Sequence, residues 1–301
     1  MNKDTIILIA EEPRDFEVLI AGAVALGGKP VAIYAGPDAD AQKIAAMGAR
    51  VLHFGELTEG ALFADAADAF ENAITSEGGS VILGRSTKAV QEIAGKLAVR
   101  LNAGVVNDAT SLAWDDDALL LTHLVYGGSA VRIEKATGSV IALLGPSAFE
   151  PVTLPAGEVV ACNDAIEVGP FRLLDVIEKE EEQVDLGAAK IVVCVGRGIG
   201  TQENLAAIEA FARKLGAEMT CTRPITEVNE WMARSRYLGV SGTTIKPDVY
   251  IGFGISGQVQ HTVGMNGAKT VVVVNKDKNA PFFKQCDLGL VADVDKVLPY
   301  L

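Results

Sequence analysis

The residues best suited to chemistry lie between Asp248 and His261, in the run DVYIGFGISGQVQH. An apolar stretch of β type enters the loop Gly252-Phe253-Gly254-Ile255-Ser256-Gly257, and Gln258, Gln260 and His261 follow where a helix should begin. Such a loop suits phosphate. Glycines let backbone N–H groups approach an anion, a helix N-terminus adds about half a positive charge, and Ser256 offers a hydroxyl donor. The GxGxxG spacing alone also fits a plain strand-to-helix turn. The polar trio favours binding, because an ordinary crossover helix would begin with small or acidic residues.

A second glycine-rich turn, Gly196-Arg197-Gly198-Ile199-Gly200, precedes another helical pattern. An NAD-type fingerprint would require an acidic residue about 20 positions later, at the end of the next strand. Thr222-Arg223-Pro224 stands there instead. Arg223 is therefore expected to face an anion or an aromatic ring, or else to pair with a nearby carboxylate. Asn275 ends an apolar run as a ligand-facing polar group or as part of an Asn275-Lys276-Asp277 turn. Asp293 is a ligand contact or the N-cap of a short final helix. The chain has no GxSxG elbow, HExxH pair or P-loop.

These turns need strands and helices to hold them. Up to Leu101 the sequence alternates strand-like runs (Thr5–Ala10, Val31–Ala35, Val51–Phe54, Val81–Gly84) with helical ones (Phe16–Leu26, Ala39–Met47, Leu62–Thr75, Thr87–Leu101), as in a helix-covered parallel sheet. After the short apolar stretch Gly104–Val106 the period changes. Leu119–Tyr126, Ala130–Lys135 and Val140–Leu144 read as strands joined by Gly-containing turns, an antiparallel addition to that sheet. From Pro146 to Lys190 the pattern loosens, and the charge run Glu178–Glu182 reads as a solvated connector. A second βα rhythm begins at Ile191, with strands at Ile191–Val195, Ala217–Thr222, Val249–Phe253, Val271–Asn275 and Leu288–Val291 and a helix at Glu203–Leu215. The fold class is α/β with two doubly wound domains, 1–186 and 187–301. The first is a parallel sheet with antiparallel additions, and the second is smaller and Rossmann-like, with its glycine loops at the carboxyl ends of the strands.

Composition excludes some functions. With 301 residues, 49% of them hydrophobic, the chain can bury a large core, and a net charge of −13 argues against a nucleic-acid partner. The opening MNKDTIILIAEEP holds too short an apolar run for a signal peptide, and no run approaches the roughly 18 apolar residues of a membrane helix, so a cytoplasmic protein is expected. Cys162, Cys194, Cys221 and Cys286 lack CxxC spacing and read as reduced structural thiols. The three histidines are too dispersed to suggest a metal cluster.

VGRGIG…CTRP…YLGVSGTTIKPDVYIGFGISGQVQHTVG…VVNKDKNAPFF…DLGLVAD resembles the carboxyl-terminal domain of the electron-transferring flavoprotein alpha subunit, through nearly all of Ile191–Leu301. VGRGIG, Tyr237–Ser241 and NKDKNAP resemble its Fix-type (FixB-like) branch. The amino-terminal half is similar chiefly at Asn107-Asp108-Ala109 and Val125-Tyr126-Gly127-Gly128. The resemblance implies one extended FAD. Arg197 with Ser256, Gly257, Gln258, Val259 and Gln260 would surround its pyrophosphate and neighbouring oxygens, while Asn275, Asp293 and Val294 would contact the adenosine end. Thr222, Arg223, Leu238, Gly239, Val240, Ser241 and His261 would surround the flavin ring. Ser241 stands where many members have Thr, and Val240 where many have Gln.

Within that resemblance Arg223 and a His261 donor would stabilise negative charge on reduced flavin, and Ser241 could bond N5. A charge-assisted hydrogen bond moves a one-electron potential by roughly 65 to 130 mV. The implied role is electron carriage in a heterodimer with a homologous beta subunit. Electrons would pass between a dehydrogenase or NADH and a redox partner such as an acyl-CoA dehydrogenase or quinone oxidoreductase, in some members by electron bifurcation. A nicotinamide-dependent oxidoreductase and a nonredox adenine-nucleotide-binding module are the alternatives. The first domain reads as scaffold and subunit interface.

Overall fold

The computed structural model describes residues 1–126, 128–145, 148–176 and 186–301; the charge run at 178–182 and Gly127 therefore lie outside the described residues. The chain divides into two compact units, the first mostly from residues 1–176 and the second mostly from 186–301. Among the described residues no helix is long and apolar enough to cross a membrane.

In chain order the first unit contains β1 (Thr5–Ile9), α1 (Phe16–Ala25), β2 (Lys29–Tyr34), α2 (Asp38–Ala46), β3 (Arg50–His53), α3 (Ala67–Ser76), β4 (Val81–Arg85), α4 (Lys88–Arg100), β5 (Gly104–Asp115), β6 (Ala118–Val125), β7 (Ala130–Ala136), β8 (Val140–Leu144) and β9 (Val159–Ala161). They make one nine-stranded sheet in the order β7-β6-β5-β8-β4-β1-β2-β3-β9. Helices cover both faces, so the central strands are apolar at nearly every position rather than at alternate ones. Ile6 and Leu8 of β1 join α1 and α2 in one core layer, while Ile7 and Ile9 join α3 and α4 in the other. Period-two alternation explains the division.

Three segments differ from the sequence reading. The stretch at Gly104–Val106 continues to Asp115, and it reverses direction on the way. Asp108 takes a left-handed φ of 51°, and the pairing with β8 shifts register between Val106 and Ala109. The far end returns to the start of the sheet, where the Trp114 indole donates to the Leu26 carbonyl at 2.9 Å and Lys3 Nζ donates to the Asp116 carbonyl at 2.6 Å. Because of that reversal Val140–Leu144 is not part of an antiparallel addition. It enters the sheet interior as β8, fully buried and parallel to both β4 and β5, while antiparallel pairing joins the far half of β5 to β6 and β6 to β7. Short turns at Gly positions could not reveal this. Finally, β9 adds a parallel strand beside β3 from the stretch with loose patterning.

The second unit is built from β10 (Ile191–Val195), α5 (Gln202–Leu215), β11 (Glu218–Cys221), α6 (Arg223–Glu227), β12 (Val249–Phe253), α7 (Val259–Thr262), β13 (Thr270–Asn275), β14 (Leu288–Val291) and α8 (Val294–Val297). All five strands are parallel, in the order β11-β10-β12-β13-β14. Thr201 caps α5 by accepting from the Asn204 N–H at 3.3 Å, and Gly216 ends it in a left-handed conformation. The chain leaves β10 toward one edge of the sheet and later returns on its other side as β12. That reversal of winding opens a crevice at the carboxyl ends of β10 and β12, the place where doubly wound sheets bind ligands.

Candidate functional site

Both glycine turns lie in this crevice. Gly196–Ile199 follows β10, and Gly254–Gly257 follows β12. They pack backbone against backbone, with the Gly198 N–H donating to the Gly254 carbonyl at 2.9 Å and the Gly196 N–H to the Phe253 carbonyl at 2.9 Å. Gly254 needs its positive φ of 64°, and a Cβ there would strike the Gly198 and Ile199 backbone. Gly257, with φ 79°, similarly approaches the Phe282 backbone. Side chains at these points would collide with the backbone packed against the turn.

Around the turns lies a cavity of about 570 Å³, within the range for small-molecule and cofactor sites. The cavity brings together Arg197, Thr222, Arg223, Val240, Ser241, Ser256, Gln258, Gln260, His261 and Asn275 from the sequence reading. These residues come from the ends of four strands and the turns beyond them. Arg197 is exposed on the rim with no hydrogen-bonding or ionic partner for its side chain among the described residues, so its charge is open to a ligand. Arg223 lines the cavity while its Nε donates to Glu227 Oε2 at 2.5 Å, so it pairs with a carboxylate and still borders the cavity. Asn275 Nδ2 donates to the Ile255 carbonyl at 2.8 Å and so braces the Gly254–Gly257 turn from β13. No acid occupies the end of β11, where a nicotinamide-type site would hold the ribose.

Other residues fall elsewhere. Leu238 packs its side chain into the core, Gly239 lies against the Gln260 carbonyl, Gly257 against Phe282, and Val259 does not line the cavity. Asp293 and Val294 lie beyond the end of β14, and the Val294 side chain belongs to the core against α5. Neither lines the cavity. The helix expected after Gly257 is the four-residue α7, too short to accumulate a useful macrodipole. Backbone N–H groups and Arg197 must then supply the positive potential.

Sequence reasoning missed Tyr237 and Asp277 as lining residues. The Tyr237 hydroxyl lies 3.3 Å from Ser241 Oγ. Only an aromatic residue immediately before the Leu238–Ser241 stretch hinted at it. Asp277 resembles a turn residue, and its N–H indeed donates to Asn275 Oδ1 at 2.9 Å.

His261 corrects one expectation. It reaches the cavity, yet it is buried, with Nε2 2.8 Å from the Tyr250 hydroxyl and Nδ1 3.2 Å from the Leu238 carbonyl. Both ring nitrogens are thus engaged by the protein, which leaves no free N–H for a ligand. Burial lowers its pKa from 6.5 to about 4. The nearby Cys194 thiol is raised to about 11, also by burial, so it is a protonated, unreactive group.

A depressed histidine pKa makes folding pH-dependent. Between about 4 and 6.5 the unfolded chain binds a proton that the folded ring refuses. Stability is therefore complete above 6.5 and is lost as pH falls toward 4, by about 3 kcal/mol from this group. Denaturant unfolding at pH 7 and pH 4.5 should show that loss in the wild type and a smaller one in His261→Asn. Equal losses would remove His261 as the cause.

The comparisons with known proteins fit this site. The family described as Electron transfer flavoprotein FAD-binding domain matches residues 185–266, and the Electron transfer flavoprotein domain matches residues 13–169. Protein FixB of Salmonella typhimurium is 37% identical over 309 aligned residues, covering 100% of this chain and 98% of that protein. Protein FixB of Escherichia coli O127:H6 is 34% identical over 302 residues, covering 98% of this chain and 96% of that one. YdiR of Escherichia coli (strain K12) is 36% identical over 303 residues, covering 99% and 97%.

Proposed function

Since the chain belongs to the electron transfer flavoprotein alpha family, FixB-like, with FAD as its cofactor, we propose that it carries electrons as one half of a heterodimer with a homologous beta subunit. The observation that supports this most is the convergence of Arg197, Arg223, Ser241, Ser256 and Asn275 on one crevice at the reversal of winding. The first domain, 1–186, serves as scaffold and subunit interface, and the protein works in the cytoplasm.

In this reading the two glycine turns and Arg197 hold the FAD pyrophosphate, with Ser256, Gln258 and Gln260 donating to neighbouring oxygens. Asn275 lies toward the adenosine end. Thr222, Arg223, Val240 and Ser241 lie about the ring. FAD supplies the one- and two-electron chemistry when bound. The chain's own residues bind and orient it, and Arg223 opposes negative charge that develops on reduction.

Copurification of the chain with a beta subunit, followed by flavin counting and an NADH-oxidation assay, tests the proposal. A heterodimer in which this chain holds one FAD supports it. A chain that binds no flavin with or without a partner overturns it. Two flavins per heterodimer together with NADH oxidation would extend the reading to electron bifurcation.

Arg223→Ala should lower the flavin potential while FAD remains bound. Because Arg223 is exposed and shared with Glu227, the fall should be on the order of tens of millivolts rather than the full value of a buried charge pair. Spectroelectrochemical titration would measure it, and an unchanged potential would count against an electrostatic role.

A further inference from the structure

Tyr237 begins the turn that carries Ser241, and the second sheet fixes where that turn starts. The Tyr237 backbone bridges to Cys221 at the end of β11, and the Leu238 N–H donates to the Cys221 carbonyl at 3.0 Å. The chain then doubles back. The Thr243 N–H donates to the Tyr237 carbonyl at 2.8 Å, and the Gly242 N–H donates to the Gly239 carbonyl at 3.0 Å. The Tyr237 ring folds against this turn rather than away from it. A Cβ at Gly242 would lie 2.7 Å from ring atom Cδ1, and one at Gly239 would lie 3.0 Å from the hydroxyl, so glycine at both positions leaves room for the phenol.

Tyr237 is buried, Ser241 is exposed, both line the cavity, and their hydroxyls lie 3.3 Å apart. The direction of that bond follows from the two groups. A phenol oxygen shares a lone pair with its ring, so the phenol is the better donor and the serine the better acceptor. With its oxygen engaged by Tyr237, Ser241 can turn its own hydrogen into the cavity. A serine without such a contact samples several χ1 rotamers, and its hydroxyl has no fixed aim.

Resting on the FAD reading above, we propose that Tyr237 is a positioning residue for Ser241: its hydroxyl donates to Ser241 Oγ, holds the serine rotamer, and leaves the Ser241 hydrogen directed at the flavin ring. The ring nitrogen N5 accepts such a bond in oxidised flavin, and accepts it more strongly once an electron has been added, because negative charge gathers there. Tyr237 thus raises the potential at which FAD takes its first electron, and it does so through Ser241.

Spectroelectrochemical titration of the FAD-loaded protein tests this. Tyr237→Phe keeps the ring, deletes only the hydroxyl, and should still hold one FAD per chain. Because a 3.3 Å bond is a long one, the first one-electron equilibrium should shift against reduction by about two- to fivefold, roughly 20 to 40 mV. In a Ser241→Ala background the same change should add nothing to the effect of Ser241→Ala alone. A Tyr237→Phe protein that folds and keeps the wild-type potential would overturn the proposal. So would one that loses FAD, or one whose shift is as large in the Ser241→Ala background. A second measurement leaves position 237 intact: in protein labelled with 13Cζ-tyrosine, Ser241→Ala should move one tyrosine signal with or without FAD, and unmoved signals would overturn the proposal. A wild type that holds no FAD would instead count against the cofactor-site reading.

Discussion

Ser256→Glu is expected to strip FAD from the protein. Ser256 is exposed to the cavity between Gly254 and Gly257, in the turn proposed to hold the pyrophosphate. A carboxylate there would face a phosphate group of the same charge. Two like charges 4 Å apart repel by about 4 kcal/mol at the effective dielectric of a protein surface. Since about 1.4 kcal/mol is tenfold in affinity, the expected loss is on the order of a thousandfold. Ser256→Ala removes only one hydroxyl donor to a charged group and should weaken binding about ten- to a hundredfold. The ratio of flavin to protein absorbance after gel filtration measures both variants. Full yellow occupancy in Ser256→Glu would rule out the phosphate assignment for this turn.

Gly254→Val should destabilise the second unit rather than merely empty it. Any side chain is strained at a left-handed φ of 64°, by about 1 to 2 kcal/mol. The Cβ would also lie about 2.5 Å from the Ile199 backbone nitrogen, and the Gly198 backbone cannot move away without giving up its 2.9 Å bond to the Gly254 carbonyl. Overpacking of that kind costs a further 1 to 3 kcal/mol or so, and together they take a large part of the roughly 5 to 15 kcal/mol that stabilises a domain. Gly200→Ala is the control. Gly200 has φ 83°, but nothing lies within 4 Å of the point a Cβ would occupy, so only the backbone strain should emerge. Thermal unfolding followed by circular dichroism should show a loss several times larger for Gly254→Val than for Gly200→Ala. Similar losses would mean that the two turns can separate without consequence.

The central strands were legible because parallel strands covered on both faces are apolar at almost every position, as in Ile6–Ile9 and Val192–Val195. Both glycine turns were legible because the pattern that marks them is local. The reversal of β5 at Asp108 was not, since an aspartate in a left-handed conformation looks the same in sequence as one in any turn. Nor was the parallel placement of β8, which depends on that reversal. Tyr237 and Asp277 line the cavity because of how their turns fold, and neither has a distinctive spacing.

His261 marks the boundary between the two kinds of information. By itself the sequence determined the α/β class, the two glycine turns and, through resemblance, the family and its flavin. Tertiary structure alone decided which strands flank the crevice, which polar residues face it, and that His261 commits both ring nitrogens to Tyr250 and Leu238. The physical reason is range. Turn chemistry and strand burial are written in neighbouring residues, whereas the partners of a buried hydrogen bond come from segments that only folding brings together.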